Sequence, residues 1–63
     1  MAEEVETFIL RYVRRELFTY PAEVSRLLGF SWHKANKILS RLRKRGILHM
    51  RRAGRIKIFL QAE

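Results

Sequence analysis

One helical period runs between two glycines in the middle of this chain, and it decides most of what the chain can become. From Ser31 to Arg45, the apolar residues Ala35, Ile38, Leu39 and Leu42 recur at helical spacing, six cations fill other positions, and no acid is present. That spacing puts an oily stripe on one side of a helix and a basic surface on the other. Ser31 is a good N-cap and Gly46 a good terminator, so the spacing predicts a helix running to about Arg45. The stripe must be covered. A chain of 63 residues can cover it only with its own short flanking elements, as a single domain over 1–63.

Those elements can be read on both sides. Val5, Phe8, Ile9, Tyr12 and Val13 predict a first helix over Glu3–Leu17. Its early glutamates suit the positive end of the helix dipole, and Arg14 and Arg15 suit the other end, so these charges have a structural explanation. Pro21 opens a short second helix with Val24, Leu27 and Leu28 inward, and Gly29 closes it. Phe30 sits in the turn, placed to pack back onto the core.

After Gly46 the period changes to two. The stretch "ILHMRRAGRIKIFLQ" is rich in β-branched and aromatic residues around a glycine break and predicts a β-hairpin. A two-residue turn at Ala53-Gly54 would pair Met50 with Lys57 and leave a lysine on the apolar face. A three-residue loop, Arg52-Ala53-Gly54, pairs Arg51 with Arg55, Met50 with Ile56 and Leu48 with Ile58. This second register separates an apolar face (Leu48, Met50, Ile56, Ile58, Leu60) from a basic one (His49, Arg51, Arg55, Lys57) and is the expected one. Ile47 and Phe59 then lie off the apolar face, free to pack under the first helix or to form a contact between copies.

The formal charge is +8, and its distribution says more than its size. Glu3, Glu4, Glu6, Glu16 and Glu23 lie early, whereas Val24 to Ala62 holds eleven Lys or Arg and no acid. Such asymmetry costs stability through self-repulsion and points to a polyanionic partner; the plain alternative is a basic face kept for solubility. There is no Cys, which excludes disulfides and thiolate metal sites, and two His with scattered acids give no metal cluster. No apolar run has the length of a bilayer span and no signal-peptide pattern opens the chain, so a cytoplasmic protein without a membrane partner is expected. The absence of Asp and the scarcity of amides are a weak mark of thermophilic origin.

The residues "PAEVSRLLGFSWHKANKILSRLRKRGIL" carry a pattern that resembles the winged helix-turn-helix superfamily over nearly the whole chain. Ser25 is the small residue inside the second helix, followed by Leu28-Gly29, the apolar turn residue Phe30 and then Ser31. Ala35, Ile38, Leu39 and Leu42 are the core set, and Gly46-Ile47 closes the unit. The family usually caps its second helix with Ser or Thr; here Tyr20 stands in that place, with Thr19 before it. The resemblance implies an α+β fold, a three-helix helix-turn-helix core followed by a two-stranded hairpin wing. It also implies DNA binding, with the third helix in the major groove and the wing on the backbone or minor groove.

With Ala35 at the centre of the buried face, His33, Lys37, Ser40 and Lys44 fall opposite it, flanked by Asn36 and Arg41. Asn suits adenine and Arg suits guanine, while Ser and His read several base edges. Arg43, Lys44 and Arg45 lie at the helix C-terminus, where the dipole favours cations without any ligand. Lys34 lies in the first turn, where the dipole opposes it and a bound phosphate would reverse the sign, so Ser31 and Lys34 join the expected site and Lys34 outranks Lys44. Trp32 falls at the border of the apolar face, where packing is the expected role, and no aromatic platform for single strands is visible. Arg51, Arg52, Arg55 and Lys57 surround the hairpin tip and suit phosphate or minor-groove contact; a basic edge that resists aggregation is the plain alternative.

No nucleophile, phosphate loop or paired acid and base suggests catalysis, and no cofactor is expected. The sequence therefore predicts a double-stranded DNA-binding protein, a transcriptional regulator associated with the nucleoid. The competing readings are a non-specific chromatin-like protein, an RNA binder, or a protein-docking winged helix within a larger complex. A homodimer is compatible with the sequence, with the first helix as the element that family analogy suggests.

Overall fold

A computed structural model describes residues 2–62. In chain order the elements are α1 (Ala2–Glu16), β1 (Phe18–Thr19), α2 (Pro21–Leu28), α3 (Trp32–Lys44), β2 (Leu48–Ala53) and β3 (Ile56–Gln61). The fold is α+β, with three helices on one side of a three-stranded antiparallel sheet of order β1-β3-β2. The expected two-stranded hairpin thus gains a third strand. Phe18 and Thr19, between the first two helices, pair with Leu60 and Phe59. Among the described residues, no helix is long and apolar enough to cross a membrane.

Local chemistry explains the helix ends. The Lys34 backbone N–H donates to Ser31 Oγ at 3.1 Å, giving α3 its N-cap. At the other end Ile47 N–H reaches Leu42 C=O at 3.0 Å and Gly46 N–H reaches Arg43 C=O at 2.9 Å. This is a Schellman closure, and it requires the φ of +79° that Gly46 adopts. Tyr20 occupies the N-cap of α2 without a side-chain cap. Instead the buried Thr19 hydroxyl donates to Glu23 Oε1 at 2.9 Å, tying β1 to the first turn of α2. Ser25 holds the turn before α3: its carbonyl accepts from Gly29 and Phe30 N–H, and its hydroxyl donates back to Phe30 C=O.

The core joins every layer: Ile9 and Val13 of α1, Val24 of α2, Ala35, Leu39 and Leu42 of α3, and Leu48 and Phe59 of the sheet. Each fully buried Leu or Phe contributes roughly 1.5–3 kcal/mol by leaving water. Leu27, expected inward, is 46% exposed. Pro21, Val24 and Leu28 supply the inward row of so short a helix, and Leu27 falls on its flank. Trp32 is likewise half exposed, at 53%.

The hairpin register differs from both alternatives weighed above. Met50 pairs with Phe59, Arg51 with Ile58, Arg52 with Lys57 and Ala53 with Ile56, so the turn is Gly54-Arg55. Gly54 has φ +66° and Arg55 has no positive φ, the pattern of a II′ turn with Gly first. Leu48, Met50 and Phe59 therefore face the helices. Ile56, Ile58 and Leu60 lie on the other face with His49 and Arg51. The physical reason is that Phe59 has more apolar surface to bury than any residue it displaces. Lys57 and Gln61 share its side of the strand and are exposed, Gln61 across from Leu48 and Lys57 beyond the core. Phe59 is thus a core residue, and Ile47 is partly buried against the core.

Candidate nucleic-acid interface

The buried row Ala35, Leu39 and Leu42 fixes the rotation of α3 and so decides what its other side presents. His33, Lys37 and Lys44 are exposed opposite that row, with Arg41 exposed on one flank and Ser40 half-buried on the other. Ser31, His33, Lys34, Lys37 and Arg41 come together along a groove of about 820 Å³ between α3 and the start of α1. Its apolar lining includes Val5, Phe30 and Ile38, and Glu4 and Glu6 line its far side.

Two of the α3 residues are constrained by their surroundings in the fold. The Lys34 ammonium lies 4.2 Å from the centroid of the Phe30 ring, a cation–π contact that seats it at the helix start. Asn36 is half-buried, and its Oδ1 is enclosed without a hydrogen-bond partner among the described residues. Bidentate reading of adenine would require that carboxamide to rotate outward.

Charge pairing is sparse. The ion pairs among the described residues are Arg15–Glu16 at 3.0 Å and Arg45–Glu6 at 2.9 Å. Arg45 therefore ties the end of α3 back to α1 and is spent on structure. Lys34, Lys37, Arg41, Arg43 and Lys44 on α3, and Arg51, Arg52, Arg55 and Lys57 on the hairpin, have no carboxylate among the described residues within ion-pair distance.

The register divides the four hairpin cations between the two faces of the sheet and the turn. Arg52 and Lys57 sit directly opposite each other on the helix-facing side of the sheet, beyond the core. Arg55 is in the turn. Arg51 lies on the opposite face, beside Ile58. All four are exposed.

Sequence reasoning missed the acidic wall of the groove and the Arg45–Glu6 pair, because both join residues far apart in the chain. It also missed β1, for which the β-prone run Phe18-Thr19-Tyr20 is a local signal. Comparison with protein-family models, with curated proteins and with solved structures gives no match.

Proposed function

We propose that this chain binds double-stranded DNA as a winged helix, with α3 in the major groove and the hairpin tip on the backbone or minor groove, and that it acts on the nucleoid as a transcriptional regulator. The observation that carries this reading is the set of nine exposed cations on α3 and the hairpin with no carboxylate partner among the described residues. It is supported by the tight turn between α2 and α3 and by the basic hairpin directly after α3. A cross-strand pair of like charges is destabilising on its own; Arg52 and Lys57 form such a pair, and a phosphate backbone would neutralise it.

The mixed residue types on the outward face of α3 favour some sequence selectivity over purely electrostatic binding. In vitro selection from a random DNA pool at physiological salt, followed by titration against the selected site, tests the proposal. Log affinity should fall linearly with log salt, with a slope of about 0.9 per neutralised phosphate. A flat salt response would remove the DNA reading, and a specificity ratio below ~10³ would convert it to the non-specific one.

A further inference from the structure

The groove between α3 and the start of α1 has more in it than phosphate contact requires. Lys34, Lys37 and Arg41 recur three and four residues apart on α3, so they line about 10 Å of one side of the helix. None of them has a carboxylate among the described residues within ion-pair distance. Beside this row the lining is apolar. Val5 and Ile38 are half-buried against the core, and the half-buried Phe30 ring lies 4.2 Å from the Lys34 ammonium. A phosphate backbone has no use for an apolar floor, whereas a small-molecule site combines one with a few convergent polar groups. The volume of about 820 Å³ lies in the range of roughly 300–1,000 Å³ that such sites occupy.

The opposite wall limits what can enter. Glu6 is paired with Arg45 at 2.9 Å, whereas Glu4 has no cation within ion-pair distance among the described residues. An anion in the groove thus meets three unpaired cations on the α3 side and one uncompensated carboxylate on the α1 side. A polyanion lying across both walls would set a negative charge against Glu4. A ligand with one negative charge at one end and an apolar body at the other satisfies both walls and the floor.

We infer that this groove binds a small monocarboxylate with a compact apolar body. Its carboxylate lies on Lys34, Lys37 and Arg41, and its body on Val5, Phe30 and Ile38. The Phe30 contact holds the Lys34 ammonium in place before the ligand arrives, which lowers the cost of ordering that side chain. The proposed DNA interface uses the same three cations, so a bound monocarboxylate competes with a duplex and the groove acts as an effector site. That consequence rests on the DNA reading; the site itself does not.

Titration of the free protein with naphthoate, followed by backbone amide chemical shifts, tests the site without any DNA present. Failure of the site and failure of the DNA reading are therefore separate outcomes. Shifts should concentrate at Val5, Phe30, Lys34 and Ile38, with a dissociation constant of about one millimolar or tighter, as expected for a ligand of about a dozen non-hydrogen atoms. Lys34→Gln should weaken binding about two- to fivefold, the range of an exposed ion pair. Arg26→Gln on α2, which changes the net charge equally, should leave it intact. A naphthalene dicarboxylate with its second charge at the far end should bind more weakly than naphthoate, and Glu4→Gln should remove that difference. Circular dichroism should show each of these exposed-site variants folded. Absence of binding at several millimolar naphthoate overturns the inference. So does equal weakening by Lys34→Gln and Arg26→Gln, equal binding of the uncharged naphthalene methanol, or a preference for the dicarboxylate in the unmodified protein.

Discussion

Arg52 and Lys57 face each other directly across the hairpin, two cations on one side of the sheet with no acid among the described residues to separate them. Replacing Lys57 by Glu turns a cross-strand repulsion into an attraction. Stability should rise by about 0.2–1 kcal/mol, read as a higher thermal midpoint. DNA affinity should fall, and Lys57→Gln alone should reduce the salt slope by about 0.9 if Lys57 neutralises one phosphate. A Lys57→Glu protein that is more stable and binds as tightly as before would place the hairpin outside the nucleic-acid footprint.

Leu17 closes α1 in a conformation that suits glycine: its N–H reaches Val13 C=O at 2.7 Å with φ at +81°. A non-glycine residue in this region costs roughly 1–2 kcal/mol. Glycine gives back about 0.5–1 kcal/mol through the greater entropy of the unfolded chain. Leu17→Gly should therefore stabilise the monomer by about 0.5–1 kcal/mol, measured by chemical denaturation at low protein concentration. A loss of stability would show that the exposed Leu17 side chain packs more than its accessibility suggests.

Stability should also fall at alkaline pH. Burial raises the Tyr12 phenol above its ordinary value of 10.0, and the nearby carboxylates of Glu23 and Glu16 add to this against the opposing Arg15. A pKa raised in the folded state means that folding favours the protonated phenol. The contribution is fully present below pH 10 and is lost as pH rises through the folded-state value. Thermal midpoints recorded from pH 8 to 11.5 should decline at the alkaline end, and Tyr12→Phe should flatten that decline. An unchanged slope in the variant would assign the loss to other groups.

The helices were legible because their ends are set by local chemistry: the Ser31 hydroxyl, the Gly29 and Gly46 closures and the Pro21 start all act within a few residues. The rotation of α3 was legible for the same reason, since Ala35, Leu39 and Leu42 announce the buried side. The sheet was not. Register was argued from the separation of apolar and basic residues, and β3 is more apolar on its outer row than on its inner one. A rule that sends the greater number of apolar residues inward therefore chose Ile56, Ile58 and Leu60 over the single large Phe59. The turn chemistry held the answer, because Gly54 as the first residue of a two-residue turn fixes the observed pairing. The Arg45–Glu6 pair and the wall of Glu4 and Glu6 beside Lys34 arise from folding residues far apart in sequence into one groove, which no local pattern encodes.

Lys34 and Phe30 offer the sharpest test of the proposed interface. An ammonium in the first turn of a helix is disfavoured by the dipole, yet here the Phe30 ring holds it at 4.2 Å, beside the N-cap Ser31. At an exposed site that contact contributes ~0.5–1 kcal/mol. Holding the charge in place before DNA arrives lowers the entropic cost of binding. Lys34→Ala should therefore weaken DNA binding more than Lys44→Ala, whose cation already sits at the favourable end of the dipole. Phe30→Leu, which keeps apolar bulk but removes the ring face, should reproduce part of the Lys34→Ala loss while leaving the salt slope unchanged, because the charge itself remains. Fluorescence anisotropy with a selected duplex at several salt concentrations measures all three. If Lys44→Ala proved the more damaging change, the principal phosphate grip of α3 would lie at its C-terminal end and the Phe30 contact would be purely structural.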